Sequence, residues 1–126
     1  NYREERFEGV VRRLTGKRGV NVVFEHVGPD TWPGSLLSLA RGGRLVICGS
    51  TSGVSAPTNL FHLFQQQIRI IASFGASFRN VAEGLAKMAR GLKPVIDSEV
   101  PLDGMADAIA RLQRREVFGK IVVTLD

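Results

Sequence analysis

Cysteine, histidine and long apolar runs are scarce in this sequence. Among its 126 residues it has one cysteine, Cys48, and two histidines. One cysteine cannot form a disulfide within the chain, and it excludes a zinc site built from several thiolates. No apolar run approaches the roughly 20 residues that span a bilayer, and the charged opening from Asn1 to Arg6 is atypical of a secretory signal. We therefore expect a cytoplasmic protein without a membrane partner.

Acidic residues are fewer than basic ones, but the surplus gives little support to a nucleic-acid partner. There are 17 lysines and arginines against 12 aspartates and glutamates, a net charge of +5, and the hydrophobic content of 44% is enough for a folded core. Aromatic residues are not interleaved with the basic ones. Solvated helix ends are therefore the favoured interpretation, and no nucleic-acid partner is predicted. The basic residues concentrate in two groups, namely Arg12, Arg13, Lys17 and Arg18, and Arg111, Arg114, Arg115 and Lys120.

Helices and strands alternate along most of the sequence. Apolar residues three or four positions apart indicate helices, and short runs rich in valine and isoleucine indicate buried parallel strands. Such alternation is typical of a doubly wound parallel α/β sheet. The predicted elements are a helix near residues 4–15, a strand at 20–25, a helix over about 32–40 capped by Asp30 or Thr31, a strand at 44–48, a short helical piece near 60–64, a strand at 67–74 and a helix over 78–90.

The last part of the sequence has a different order of predicted elements. A short strand at 95–100 is followed by a helix that Pro101 leads and by a final strand at 120–125. A change in composition at 91–94 indicates a boundary. We therefore predict one domain over residues 1–92 and a separate segment over residues 93–126.

Glycine follows each of the three strands predicted in the first part of the chain. The strand ends read His-Val-Gly at 26–28, Cys-Gly-Ser-Thr at 48–51 and Ser-Phe-Gly at 73–75. In open α/β sheets, ligands bind beyond the carboxyl ends of the strands, and glycine permits close approach to the backbone. Tight turns alone also explain each glycine, but three in succession favour a shared ligand crevice.

Four segments carry a resemblance to a known family. They read VVFEHVG at 22–28, GGRLVICG at 42–49, IIASFG at 70–75 and VFGKIVV at 117–123. In order and spacing the sequence resembles the medium-chain dehydrogenase/reductase family, which includes zinc-type alcohol dehydrogenases and quinone oxidoreductases. The resemblance implies an NAD(P)-dependent oxidoreductase that transfers hydride between nicotinamide and a small-molecule substrate, either an alcohol, a carbonyl or a quinone-type compound.

The resemblance covers only the C-terminal portion of such proteins. It implies the second half of a doubly wound parallel (Rossmann) sheet, followed by a C-terminal strand, helix and strand that belong to the catalytic domain. The 126 residues contain no GxGxxG turn, and in the family the zinc ligands lie in the preceding domain. We therefore expect a fragment that is inactive alone and binds no metal, from a parent protein that binds NAD or NADP. Zinc is possible in that parent, bound by its other part, and the sequence does not decide whether the parent depends on it.

Several positions match the cofactor-binding motifs of the family, whereas none matches a catalytic residue. The match at Lys120 has an equally good alternative, a solvated lysine entering an edge strand. The implied cofactor-binding residues are His26, Val27 and Gly28 on the ribose side, Cys48, Gly49 and Ser50 at the nicotinamide, Ala72 and Phe74 near its carboxamide, and Lys120 at the pyrophosphate.

His26 and Cys48 have the side chains that zinc prefers. One histidine with one cysteine cannot complete a tetrahedral site, so neither is predicted to bind metal. Because Cys48 ends an apolar strand, we expect it to be a buried small hydrophobe.

The strand that begins at Gln67 and ends at Phe74 predicts a homodimer. In the resembling family this edge strand pairs with its own copy, and a bare edge would invite uncontrolled pairing. Two other functions stay open from the residues alone. The chain fits a non-catalytic α/β dimerisation or binding module whose strand-end glycines are only turns, and less well a basic nucleic-acid binder.

Overall fold

The computed structural model describes residues 1–125, which divide into two compact units. The first unit comprises Asn1–Gly75 and the second begins at Ala76. The domain boundary expected near residue 92 stays a prediction. The elements are α1 (Phe7–Leu14), β1 (Val20–Glu25), α2 (Trp32–Ser38), β2 (Leu39–Ile47), α3 (Leu60–Gln66), β3 (Arg69–Ala72), α4 (Phe78–Ala89), β4 (Ile96–Pro101), a 3₁₀ turn (Leu102–Gly104), α5 (Met105–Gln113) and β5 (Lys120–Thr124).

The sheet of the first unit consists of parallel strands in the order β1-β2-β3. The register is set by Val23 opposite Leu45 and by Leu45 opposite Ile70. β2 is therefore the central strand of the three. The parallel α/β class predicted from the alternating elements is confirmed.

The core of the first unit forms where α2 packs against β2. Trp32 and Leu36 of the helix and Leu39 and Leu45 of the strand make one buried cluster. Leu39 and Leu45 are completely buried, at 0% exposure. Burying a leucine side chain stabilises a fold by about 1.5–3 kcal/mol, so this cluster fixes the central strand beneath the helix.

Helix α2 is shorter than its apolar pattern predicts. The pattern continues to Ala40, but the helix ends at Ser38, and Leu39 has extended backbone with φ −71° and ψ 143°. The guanidinium of Arg12 donates to the carbonyls of Leu37 and Leu39 at 2.9 and 3.0 Å. Because a side chain from α1 satisfies these carbonyls, the helix end needs no further turn and Leu39 enters β2 directly.

The second unit contains a parallel pair of strands, β4 and β5, and two helices. α4 begins with a capping box, in which Ser77 and Asn80 bond each other's backbone amides. Asp97 of β4 accepts from the amide of Phe118 at 3.2 Å and from Arg111 at 2.8 Å. These bonds hold the pKa of Asp97 below its ordinary value, and the bond from the Phe118 amide contributes most.

Part of the positive charge serves local structure. Arg12 joins α1 to the end of α2, Arg111 pairs with Asp97, and Arg114 pairs with Glu116. These three arginines have protein partners, so the charge surplus does not by itself require a polyanion. In the part of the chain that the structure describes, no helix combines the length and apolar character needed to cross a bilayer.

Candidate functional site

The carboxyl ends of the three parallel strands lie side by side. Glu25 of β1 is opposite Ile47 of β2, and Ile47 is opposite Ala72 of β3. The turns that follow, at 26–28, 48–51 and 73–75, therefore lie at one edge of the sheet. This edge carries eight of the nine predicted cofactor-binding residues, the exception being Lys120.

Hydrogen bonds join the first two of these turns into one surface. The amide of Thr51 donates to the carbonyl of His26 at 3.4 Å, and the amide of Ser52 donates to the carbonyl of Val27 at 2.7 Å. The Ser52 hydroxyl donates to the same Val27 carbonyl at 2.8 Å. A movement of either turn therefore disturbs the other.

Two glycines in these turns have little room for a side chain. Gly28 has a φ of +94°, and a Cβ there would overlap the Ser50 hydroxyl. A Cβ at Gly49 would lie 3.2 Å from the carbonyl oxygen of His26. Gly75 differs, since nothing lies within 4 Å of its Cβ position. A side chain at Gly28 or Gly49 would therefore crowd the neighbouring turn, whereas Gly75 is favoured only by its φ of +64°.

A small cavity opens between the same two turns. It has a volume of about 200 Å³ and is lined in part by Gly28, Trp32, Ile47 and Ser50. Pockets that enclose a whole drug-sized ligand measure about 300–1,000 Å³. The cavity therefore has room for only one portion of such a ligand.

Glu25, the last residue of β1, is buried beneath the first turn at 3% exposure. One carboxylate oxygen accepts from the amides of Val27 and Gly28 at 2.7 and 3.2 Å. The other accepts from the hydroxyls of Thr31 and Ser35 at 2.9 and 2.5 Å. Thr31 precedes α2 as expected, but its hydroxyl serves Glu25 instead of capping the helix.

The hydrogen bonds determine the protonation state of this carboxylate. Burial favours the neutral acid, but the bonds from Ser35, from the amides of Gly28 and Val27 and from Thr31 outweigh it, so the pKa of Glu25 lies below its ordinary value. Glu25 is therefore ionised at neutral pH. The amides of Val27 and Gly28 are engaged inside the protein, and the carbonyls of this turn also accept hydrogen bonds from the protein, so the turn offers a ligand mainly its shape.

Sequence reasoning missed Glu25 as a site residue. The available signal for such a residue is an acidic side chain at the end of an apolar strand. In this chain it is followed by hydroxyl side chains six and ten positions later. It is weak, because only the turn and the first part of α2 bring Thr31 and Ser35 back to the strand end.

Six of the nine predicted site residues are exposed to solvent, namely His26, Cys48, Ser50, Ala72, Phe74 and Lys120. Phe74 is completely exposed. The expectation of a buried Cys48 is wrong, because β2 ends at Ile47 and the thiol lies beyond the packed part of the strand.

Lys120 lies in the second unit, at the first position of β5, where it is exposed. Its amide donates to the carbonyl of Val95 at 2.9 Å. Its predicted role at a pyrophosphate stays a prediction. Within residues 1–125, no group of three or more histidine, cysteine, aspartate or glutamate side chains is arranged to hold a metal ion.

Comparison with known proteins agrees with the parallel α/β fold. Residues 1–123 match the family described as zinc-binding dehydrogenase. The chain belongs to this family, and its resemblance to the medium-chain dehydrogenases/reductases is confirmed.

Three similar proteins illustrate the relationship. Crotonyl-CoA reductase of Streptomyces collinus is 31% identical over 120 residues, which make up 94% of this chain and 27% of that protein. Quinone oxidoreductase-like protein 2 of Rattus norvegicus is 29% identical over 140 residues, which cover 99% of this chain and 39% of that protein. The crystal structure of an NAD-dependent alcohol dehydrogenase superposes with a TM-score of 0.87 at 35% identity. The match covers 100% of this chain and 37% of the dehydrogenase. The chain thus spans 27% to 39% of the length of these three proteins.

Proposed function

We propose that the protein is an NAD(P)-dependent oxidoreductase that transfers hydride between nicotinamide and an alcohol, carbonyl or quinone-type substrate. The observation that carries the proposal is the alignment of three parallel strand ends at one open edge, in a chain of the zinc-binding dehydrogenase family. In this proposal, residues 1–92 belong to the cofactor domain and residues 93–126 return to the catalytic domain.

The residues at this edge fit a dinucleotide. The turn at 26–28 would shape the ribose side, Gly49 and Ser50 would lie under the nicotinamide, and the backbone of Ala72 and Phe74 would face its carboxamide. Because Gly28 and Gly49 have no side chain, the backbone of both turns would allow the dinucleotide to approach closely. The bound nicotinamide supplies the hydride chemistry, and the chain's own residues orient the ring and exclude water from one side of it.

Other parts of such a site would lie outside these residues. A pyrophosphate is commonly held at a helix N-terminus after a GxGxxG turn, and the 126 residues contain no such turn. We therefore propose that Lys120 adds only a secondary positive charge and that this chain binds the dinucleotide weakly when isolated. Any zinc in the full-length protein would be held by ligands beyond the described residues.

We expect Gly49→Val to raise the dissociation constant of the full-length protein for NADH or NADPH about tenfold or more, equivalent to about 1.4 kcal/mol. The valine would press on the His26 carbonyl, 3.2 Å from its Cβ, and separate the first two turns. Titration followed by nicotinamide fluorescence measures the effect for each cofactor.

Gly9→Val is the matched control, since Gly9 is exposed on α1 and nothing lies within 4 Å of its Cβ position. It should leave the dissociation constant unchanged. Equal affinity of Gly49→Val and the wild type would remove this strand end from the cofactor site. Absence of dinucleotide binding by the full-length wild type would favour a non-catalytic binding module.

We also propose that the protein forms a homodimer through β3. This strand lies at the edge of the described sheet, and its Ile70 and Ile71 side chains are 41% and 44% exposed. An unpaired apolar edge is a ready template for another strand. A two-fold interface covers the edge on both copies and closes the assembly.

Ile71→Lys is expected to halve the mass of the full-length protein in sedimentation equilibrium, because pairing would bury two lysines against each other. Leu14→Lys serves as the control, since Leu14 is 79% exposed on α1 and should leave the mass unchanged. A monomeric wild type, or a dimer that persists in Ile71→Lys, would contradict pairing through β3.

A further inference from the structure

The carboxylate of Glu25 connects three segments at the candidate site. It ends β1, binds the amides of the turn at 26–28, and binds hydroxyls of Thr31 and Ser35 at the start of α2. The same turn is held from its other side, where Ser52 donates to the Val27 carbonyl from both its amide and its hydroxyl. The turn is therefore fixed from below by Glu25 and from the side by the second strand end.

We infer that Glu25 is a positioning residue, whose buried carboxylate holds the turn at 26–28 in the shape that the cofactor's ribose side requires. This inference rests on the proposed dinucleotide function and adds a residue to that site. Glu25 lies beneath the turn and does not itself touch the cofactor. It acts through Val27 and Gly28, whose conformation it sets.

The two amides and two hydroxyls around Glu25 suit an ionised carboxylate. An ionised carboxylate has about four lone-pair positions, and here two amides and two hydroxyls occupy them. A glutamine at this position would keep one oxygen for the two amides, but its N–H₂ group could only donate, so both hydroxyls would have to turn and accept from it. The amide variant therefore keeps the size of the side chain but loses the charge that strengthens the bonds from the turn amides.

Glu25→Gln in the full-length protein should raise the dissociation constant for the dinucleotide about tenfold, with a much smaller change in kcat. Glu25→Asp retains the charge and is expected to recover part of the affinity. Ser38→Ala is the matched control, because this buried serine on α2 donates to the Gly34 carbonyl at 2.8 Å instead of to Glu25. Its affinity for the dinucleotide should equal that of the wild type.

Amide hydrogen exchange without cofactor tests the local part of the inference. In Glu25→Gln, the amides of Val27 and Gly28 should exchange at least tenfold faster, while that of Leu45 in the core keeps its protection. If Glu25→Gln fails to fold, Ser35→Ala removes one bond and should give changes of about threefold in the same two measurements.

The outcomes separate this inference from the proposed function. Faster exchange in the turn together with weakened binding supports the positioning role. Normal affinity of Glu25→Gln in a protein whose wild type binds the dinucleotide would overturn it, as would equal losses in Glu25→Gln and Ser38→Ala. Failure of the wild type to bind would overturn the proposed function and the inference together, even with faster exchange in the turn.

Discussion

Replacing Gly19 with alanine is expected to lower the free energy of unfolding by about 3 kcal/mol or more. Gly19 precedes β1 with a φ of +85°, and its Cβ would lie 2.6 Å from the Ser38 carbonyl oxygen and 2.8 Å from the Ala40 nitrogen. A left-handed backbone costs an alanine about 1–2 kcal/mol, and overpacking adds typically 1–3 kcal/mol. Because the clashing atoms belong to backbone at the junction of α2 and β2, no rotamer change relieves them.

Gly16→Ala isolates the conformational part of this cost. Gly16 has a φ of +58°, yet nothing lies within 4 Å of its Cβ position, so we expect a loss of only about 1 kcal/mol. Urea unfolding of both variants, compared at equal m-values, measures the difference. Similar losses in the two variants would show that the chain around Gly19 is less tightly packed than the structure has it.

The strand ends were predictable because they depend on local sequence. The apolar, β-branched run from Val20 to Phe24 and the glycines at 28 and 49 mark where strands stop. Parallel pairing then places successive strand ends at the same edge of the sheet. The location of the crevice thus follows from alternation alone.

The end of α2 was not predictable from local sequence. Leu39 and Ala40 are buried in the structure, so their apolar character fits either a helix or a strand. In the structure Leu39 pairs with Val20 of β1, and its carbonyl accepts from the guanidinium of Arg12, 27 positions earlier. Contacts of this range leave no periodic trace in the sequence.

The chemistry beneath the first turn shows the same limit. The resemblance implied that Val27 and Gly28 line the cofactor, but it did not reveal that Glu25 already occupies their amides. The carbonyls of the same turn also have partners inside the protein, so in the proposed site this turn would contribute mainly its shape. For this reason, a buried carboxylate that no ligand touches can affect binding as strongly as a residue on the surface of the crevice.

Leu45→Ala is the second substitution expected to have a large effect, a loss of about 2–5 kcal/mol of unfolding free energy. Leu45 is 0% exposed in the central strand, where it lies opposite Val23 and Ile70 and packs in the cluster with Trp32. Alanine would leave a cavity that strands on both sides prevent from collapsing. Leu14→Ala, at a position 79% exposed, should change stability by no more than about 0.5 kcal/mol. Chemical denaturation of the full-length protein compares the unfolding free energies of the two variants. A small loss of unfolding free energy in Leu45→Ala would mean that the first unit's core does not depend on the packing of α2 against β2.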